Sequence, residues 1–451
     1  MRCSSINQSS LKDNGFRFDA SYHLSEGVSV SRAISSSPYR MLSVSDVSLD
    51  IFYGNRAKRV YVNNPKYGIP FMSSSDILSA NLDNIKLASK KYTPYIDQLR
   101  LKEGWILISR SGTIGNTSWS SKMHAKMLAT EDVIRVVPND IMKGGCLYAY
   151  LSSKYGHSLL TQGTFGAVIQ HIEPGFVAGI PIPSFPNDLQ EKVDNLIKES
   201  TRLREEAYDS EQSAISIIES KIATLDDTSP VFSKSLKTIG FSWAAYNNNL
   251  YVDKINNKFK TNFFTLGSRS SAIFAPPLFK HIYLSKDNGY PFMTGSELTR
   301  YNLRYYRWLS PKGVKDINDY VVSEGTLLLY KSGTTDGGIL GNVFIADKLL
   351  DGCCLSDHVI RIKMDDKKLS YWTYAFLRTN EGVHLLQSLA TGTMIPFITP
   401  ERLSMLHIIT PDEDYDRVTS LIENYIVLKS KSKELENSAI SLIEDQIEKW
   451  K

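Results

Sequence analysis

The sequence predicts an α/β (α+β) protein made of two tandem-duplicated lobes, each followed by one long helix. Three observations predict it. The phrase "SAISIIESKI" at Ser213 returns as "SAISLIEDQI" at Ser438, with seven of ten residues recurring 225 positions later. Shorter motifs recur in the same order along the 451 residues. Net charge alternates in four blocks that follow the same division: +7 over residues 1–185, −5 over 186–235, +6 over 236–411 and −4 over 412–451.

The repeats come first, because long-period self-similarity decides architecture. "GFRFDA" at Gly15 answers "GFSWAA" at Gly240, and "GIPFMSSSD" at Gly68 answers "GYPFMTGSE" at Gly289. "GWILISRSGTIG" at Gly104 answers "GTLLLYKSGTTDG" at Gly325, and "DVIRV" at Asp132 answers "HVIRI" at His358. "YAYL" at Tyr148 answers "YAFL" at Tyr374, and G-x-x-I segments begin at Gly166 and Gly392. The offsets stay between 221 and 226, a drift that small loop insertions explain. "GWILIS", "DVIRVV", "GTLLLY" and "HVIRIK" are β-branched and apolar between turn signals and read as strands. "GCLYAYLSSKYGHSLL" and "SYWTYAFLRTNEGVHLL" have helical spacing.

Pro-containing exits, "IPIPSFP" and "IITPDED", lead into one long polar helix per copy, with Asn187 or Asp188 and Asp412 or Asp414 as N-caps. In the first helix apolar residues step by four and three through Leu189, Val193, Leu196, Leu203, Ala207, Ala214 and Ile217, with Ser200 and Ser210 on the polar steps. In the second, Val418, Leu421, Tyr425, Leu428, Leu435, Ala439 and Leu442 keep the register, with Ser432 as the polar step. That alternation is a coiled-coil seam. Two surface helices packed on their own lobes are the simpler alternative. A helix of roughly 38 residues spans about 57 Å. If the second helix pairs antiparallel with the first, the chain becomes pseudo-two-fold symmetric, with an antiparallel two-helix coiled coil between the lobes. The expected segments are a first lobe over 1–185, a long helix over 186–225, a second lobe over 236–411 and a second long helix over 412–451.

At 42% hydrophobic and 22% charged residues the composition is that of an ordinary folded chain. The start, "MRCSSINQSS", lacks the apolar core of a signal peptide, and no apolar run approaches the ~18 residues of a membrane span. The expectation is a cytoplasmic protein with no membrane partner. Cys3, Cys146, Cys353 and Cys354 lack C-x-x-C spacing and are expected as buried thiols rather than zinc ligands or disulfides.

Enzymatic motifs are missing. There is no G-x-x-x-x-G-K-[ST] loop, and neither "GTFG" nor "DGGILG" is a dinucleotide fingerprint. The eight histidines show no H-E-x-x-H or comparable metal spacing. His358 beside Asp357 reads as a structural pair, and "PDEDYD" at Pro411 opens a helix whose positive end favours carboxylates. No catalytic residue and no metal ligand is assigned.

What remains suits nucleic-acid contact. Two turns, "SRSGTIGN" and "YKSGTTDGG", place a cation beside hydroxyls and exposed amides: Arg110 with Ser111 and Thr113, and Lys331 with Ser332 and Thr334. Backbone conformation alone is the competing account of these turns. Basic and aromatic residues interleave at Arg56, Lys58 and Arg59, at Lys90, Lys91 and Tyr92, and at Arg300, Arg304, Tyr305 and Arg307. Arg reads guanine bidentately while Lys and Tyr commonly address phosphates; solvated charge over half-buried strands is the competing account.

The order lobe, long helix, lobe, long helix, together with "FRFDASYH" near the start, the twice-used "G-[WT]-[IL]-L-[IL]-x-[RK]-S-G-T", and "GTFGAVIQHIEPGFVAGIPIP" followed by "LQEKV", resembles the specificity subunits of type I DNA restriction-modification systems. The resemblance spans essentially the whole chain. It implies two target recognition domains, each reading one half of a split site in double-stranded DNA, and a helical pair acting as a ruler. It further implies two copies of a DNA methyltransferase subunit docked on the helices, and restriction (motor-nuclease) subunits. S-adenosylmethionine, ATP and Mg would belong to those partners, leaving no cofactor in this chain. The second lobe departs from the pattern: "GFSWAAYNN" loses the charges of Arg17 and Asp19, and "YDRV" from Tyr415 stands in place of "LQEKV". From the residues alone, two other classes stay open: an adaptor or decoy of another anti-phage assembly, and a self-sufficient nuclease or methyltransferase.

Overall fold

The computed structural model describes residues 8, 26–80, 82, 85–162, 171–222, 233–239, 243, 245–248, 250–258, 262–301, 307–333, 340–392 and 394–450. Two compact units divide the chain, one joining Met1–Glu205 to Lys431–Lys451 and the other formed by Glu206–Ser430. Both divisions fall inside the long helices, so each unit contains half of each helix.

Unit 1 runs through helix α1 (Glu26–Ser35) and strands β1 (Met41–Ser43), β2 (Ser48–Tyr53), β3 (Tyr61–Val62), β4 (Gly68–Met72), β5 (Leu87–Ser89), β6 (Ile106–Ser109), β7 (Thr117–Trp119), β8 (Leu128–Ala129) and β9 (Val133–Pro138). Helices α2 (Gly144–Ser152), α3 (Lys154–Gln162) and α4 (Pro174–Ala178), strand β10 (Pro181–Pro183) and the long helix α5 (Asn187–Ile222) follow. The strands assemble as β2-β9-β6-β7, β3-β5-β4-β8 and β1-β10.

Unit 2 repeats this with α6 (Leu250–Lys258), β11 (Phe263–Thr265), β12 (Ser270–Phe274), β13 (Tyr283–Leu284), β14 (Tyr290–Met293), β15 (Arg307–Leu309), β16 (Leu327–Tyr330), β17 (Val343–Ile345), β18 (Cys354–Leu355) and β19 (Val359–Met364). Then come α7 (Lys367–Arg378), α8 (Asn380–Ser388), α9 (Pro400–Ser404), β20 (His407–Ile409) and the long helix α10 (Tyr415–Glu448). Its sheets are β12-β19-β16-β17, β13-β15-β14-β18 and β11-β20, the same three orders position for position. The duplication read from the motifs is therefore a duplication of topology.

Why the central strands read as unbroken apolar runs follows from the two-residue strand period. Ile106 and Ile108 of β6 enter a core shared with α2 and α3, while Leu107 enters a second core with Met72 and Ala129 of the smaller sheet. In β16, Leu327 and Leu329 face one core and Leu328 and Tyr330 the other. A strand covered on both faces has no polar side to show. At Gly156 and Gly382 a Cβ would lie 2.2 Å from the carbonyl oxygens of Tyr150 and Phe376, so the short-helix junction in each unit admits only glycine.

An arginine stands in the middle of each of the repeated strands "DVIRV" and "HVIRI". Arg135 is fully buried, its Nη1 donating to the carbonyls of Thr130 (3.0 Å) and Val133 (2.7 Å) and its Nη2 to those of Ala129 (2.6 Å) and Leu99 (3.3 Å). Arg361 does the same with Ser356 (2.9 Å), Val359, Leu355 (2.6 Å) and Tyr320 (3.4 Å). Burial pulls both guanidinium pKa values down to about 10. Carbonyls from several turns, rather than a carboxylate, receive each cation, so these arginines lock the loops between the two sheets.

The long helices pack by halves. In unit 1, Val193 and Ile197 share a core with Ala439, Ile440, Ile443 and Ile447. In unit 2, Ala214, Ile218 and Ile222 share one with Val418, Ile422, Tyr425 and Ile426. The helix halves of unit 2 run antiparallel: Asn424 Nδ2 donates to Ser210 Oγ at 2.8 Å, whereas Lys221 meets Asp412 and Asp414 at 2.7 and 2.6 Å, so partners descend as the first helix ascends. In unit 1 the two polar seam positions face each other, Ser200 Oγ donating to Ser432 O (2.8 Å) and Ser432 Oγ to Ser200 O (2.6 Å). Small hydroxyls thus satisfy one another where the apolar seam is interrupted.

Of the seam residues read from sequence, Val193, Leu203, Ala214, Val418, Tyr425 and Ala439 are buried, and Leu189, Leu196, Ile217, Leu421, Leu428, Leu435 and Leu442 are half-buried. The fully covered stripe also takes in Ile197, Ile218, Ile422 and Ile443, one position to the side. Each helix half faces the lobe as well as its partner helix, which widens the apolar arc beyond a two-strand seam. Cys146, Cys353 and Cys354 are buried free thiols, and burial pushes the Cys353 and Cys354 pKa values up to about 11 and about 12. Cys3 lies outside the described residues.

Candidate nucleic-acid interface

The turn after β6 is shaped by its own small residues. Gly112 and Gly115 have φ of +70° and +77°, a region that favours glycine. Ser109 and Thr113 hydroxyls meet at 2.8 Å, and Ser111 Oγ donates to Asp132 Oδ1 at 2.9 Å. The hydroxyls that the sequence offers to a ligand therefore also hold the turn in place.

Arg110 is the cation of that turn, and neighbours from two distant segments fix it. Its guanidinium lies 4.7 Å from the centre of the Tyr53 ring at the end of β2 and donates to Glu173, just before α4. Arg59 lies 3.1 Å from Glu131 and 3.6 Å from Asp132, and Arg56 lies 3.6 Å from Glu131. The structure thus gathers Arg56, Arg59, Arg110, Ser111 and Thr113 at one end of the larger sheet, around Glu131 and Asp132. Lys58 is exposed between the two flanking arginines.

Lys90, Lys91 and Tyr92 are brought elsewhere, beside the smaller sheet. Lys90 Nζ donates to Lys66 O at 3.0 Å, and Lys91 Nζ sits 5.2 Å from the Tyr92 ring centre. Two pairs not singled out in the sequence join them: Lys66 lies 5.6 Å from the Tyr67 ring and Lys86 5.6 Å from the Tyr61 ring. Tyr61, Tyr67 and Tyr92 are all exposed. Among the described residues no carboxylate pairs with Lys66, Lys86, Lys90 or Lys91. Four cations and three exposed rings make a surface suited to a phosphate backbone and its sugars. The signal was present in "KYG" and "NIKLASKKY", where Lys and Tyr occur together without acidic residues.

In unit 2, Lys331 and Ser332 follow β16. Lys331 N donates to His358 O (2.8 Å) and Lys331 O accepts from Ile398 N (2.8 Å), while Ser332 pairs with Phe397. Arg300 follows the short helix Gly295–Leu298, its amide donating to Glu297 O at 3.1 Å. Arg307 opens β15, 5.6 Å from the Tyr283 ring and 2.9 Å from Glu297. Arg304, Tyr305 and Thr334 lie outside the described residues, as do "FRFDASYH" and the segment from Gly163 to Gln170.

His358 is mostly exposed, with Nε2 3.9 Å from Asp357. In "PDEDYD" Asp412 and Asp414 meet Lys221, whose pKa is raised by hydrogen bonds to both, and Asp416 meets Lys368 at 2.7 Å. Among the described residues no cluster of His, Cys, Asp and Glu could hold a metal ion, and no helix is long and apolar enough to cross a membrane.

Among solved structures the chain is similar to a type I restriction-modification system S subunit from M. genitalium, at 11% identity over 90% of this chain and 94% of that one, with a TM-score of 0.31. It is also similar to the HsdS subunit from Thermoanaerobacter tengcongensis, at 14% identity over 91% and 96% with a TM-score of 0.29. A third similar chain comes from a structure of type I R-M complex assembly and conformational transition, at 15% identity over 92% and 98% with a TM-score of 0.28. No curated protein sequence gives a significant match. The family described as type I restriction modification DNA specificity domain matches residues 49–197 and again residues 276–437, once in each copy of the repeat. With two matches that together cover more than half of its length, the chain belongs to the type I restriction modification DNA specificity domain family.

Proposed function

We propose that this chain is the sequence-reading, non-catalytic subunit of a type I restriction-modification complex, and that each lobe reads one half of a bipartite site in double-stranded DNA. The reading rests above all on one observation: the family signature occurs twice, over two units with the same strand orders. Two copies of one frame with different surface side chains suit two different half-sites. The long helices act in this reading as spacer and as dock for two methyltransferase subunits, with restriction subunits joining them. S-adenosylmethionine, ATP and Mg are then used by those partners.

The test is co-expression with a cognate methyltransferase subunit and mapping of methylated sites. A split recognition sequence is expected, and exchanging residues 236–411 for those of a relative should change one half of it only. A contiguous motif, or one unchanged by the exchange, would reject the reading. Four residues inserted in α5 near Glu211 should alter the gap between half-sites and leave base preference intact. Methyl transfer or metal-dependent cutting by the purified chain alone would instead identify a self-sufficient enzyme.

A further inference from the structure

Strands β3 and β5 place Lys86 Nζ 5.6 Å from the centre of the Tyr61 ring, and β13 and β15 place the Arg307 guanidinium 5.6 Å from the Tyr283 ring. The two pairs occupy one register. Val62 lies opposite Leu87 and Leu284 opposite Trp308; in each unit the ring precedes the first of these residues and the cation precedes the second. Both rings are 43% exposed. Around the cations the copies have diverged, "NIKLAS" against "YYRWLS", and Lys has been exchanged for Arg. Burial does not explain why a cation over a tyrosine survives twice on an exposed strand pair.

We infer that Tyr61 with Lys86, and Tyr283 with Arg307, form a phosphate-contacting pair in each lobe, the part of DNA binding that both half-sites share. This rests on the DNA-reading function proposed above. A pair common to both lobes cannot tell two half-sites apart, whereas phosphate contacts carry no sequence information and set position. The ring restrains the long cationic side chain, which lowers the entropy lost on meeting an anion.

The pairs are unequal. Arg307 also meets Glu297 at 2.9 Å, and Glu297 belongs to a capping box with Thr294. The corresponding acid in unit 1 is Asp76, one methylene shorter, which accepts from Ser73 N at 2.7 Å. Glu297 therefore competes with phosphate for Arg307, while Lys86 has no such rival among the described residues.

The full chain, assembled with its methyltransferase partner, is titrated with a duplex carrying its mapped methylation site and with an unrelated duplex of equal length across a salt series. Lys86→Ala should weaken both by the same factor, roughly five- to tenfold at about 0.1 M salt, and flatten the log–log salt slope by about one. Glu297→Gln keeps an acceptor oxygen for the cap, and should tighten both duplexes and steepen the slope. Loss confined to the target duplex, or slopes unchanged in both variants, overturns the inference while leaving DNA reading intact. Failure of the wild-type assembly to bind either duplex overturns both.

Discussion

Units 1 and 2 share every strand order and differ in what fills equivalent positions. His124, buried beside β8, corresponds to Leu350, buried beside β18. Arg110 is clasped by Tyr53 and Glu173; the residues at the positions matching that clasp around Lys331 are Ala275 and Thr399. The buried arginines and the lobe tyrosines, by contrast, are kept. Tyr148 of α2 donates to Glu436, which also meets Arg204 at 2.7 Å; Tyr374 of α7 donates to Glu211, which meets Arg378 at 3.1 Å. Groups that hold the frame recur, whereas the surroundings of the turn cation and the filling of one local space differ.

Removing what the units share should break both alike. Arg135→Ala and Arg361→Ala each strand four carbonyls and open a cavity, and each should cost about 3–5 kcal/mol in denaturant unfolding. A large loss at one and none at the other would show that the equivalence is geometric only.

His124 sharpens the comparison through pH. Desolvation, aided by the positive Arg204, lowers its pKa to about 4. A neutral buried histidine stabilises fully above the unfolded value of about 6.5 and loses that contribution as pH falls towards 4, on the order of 3 kcal/mol in all. His124→Leu installs the residue type that unit 2 already has. It should remove this acid-dependent loss from unit 1, although the Ser121 hydrogen bonds at 2.9 and 3.2 Å go with it. Unfolding curves at pH 7 and 4.5 check this; an unchanged pH slope would place the acid sensitivity elsewhere.

The smallest effects are expected at the turns. Arg110→Ala and Lys331→Ala should each weaken DNA binding by ~1–3 kcal/mol with relaxed preference at one half-site if they touch bases. Arg110→Ala should also lower stability, because Glu173 loses its partner, and Lys331→Ala should not. Equal stability losses would contradict the difference in their surroundings.

The repeated decapeptide shows how far sequence reading reaches. Its periodicity announces a helix with an apolar face, and its recurrence announces two such helices with the same job. It does not say where the job is done. Ile218 and Ile222 end the first long helix inside the core of unit 2, and Ile443 and Ile447 end the second inside the core of unit 1. Each phrase serves the lobe of the other repeat. The arginine in the middle of "DVIRV" and "HVIRI" was equally visible, but a charged residue in a strand reads as a solvent-facing position until the loops that supply its carbonyl partners are in place. The pair Tyr61 and Lys86 was missed for a related reason: the two residues lie apart in the chain and meet only through the pairing of β3 with β5.

Sequence alone determined the duplication, two strands, a helical segment and a long helix in each copy, and the alternation of charge, because each is a local period or a repetition that survives without a fold. Tertiary structure decided which lobe covers which helix half, which cations are buried and which stand over rings. An apolar face states only that something must cover it, and a cation only that something must solvate or pair with it; which residue does so depends on strand pairing, loop closure and helix packing that no local stretch of sequence contains.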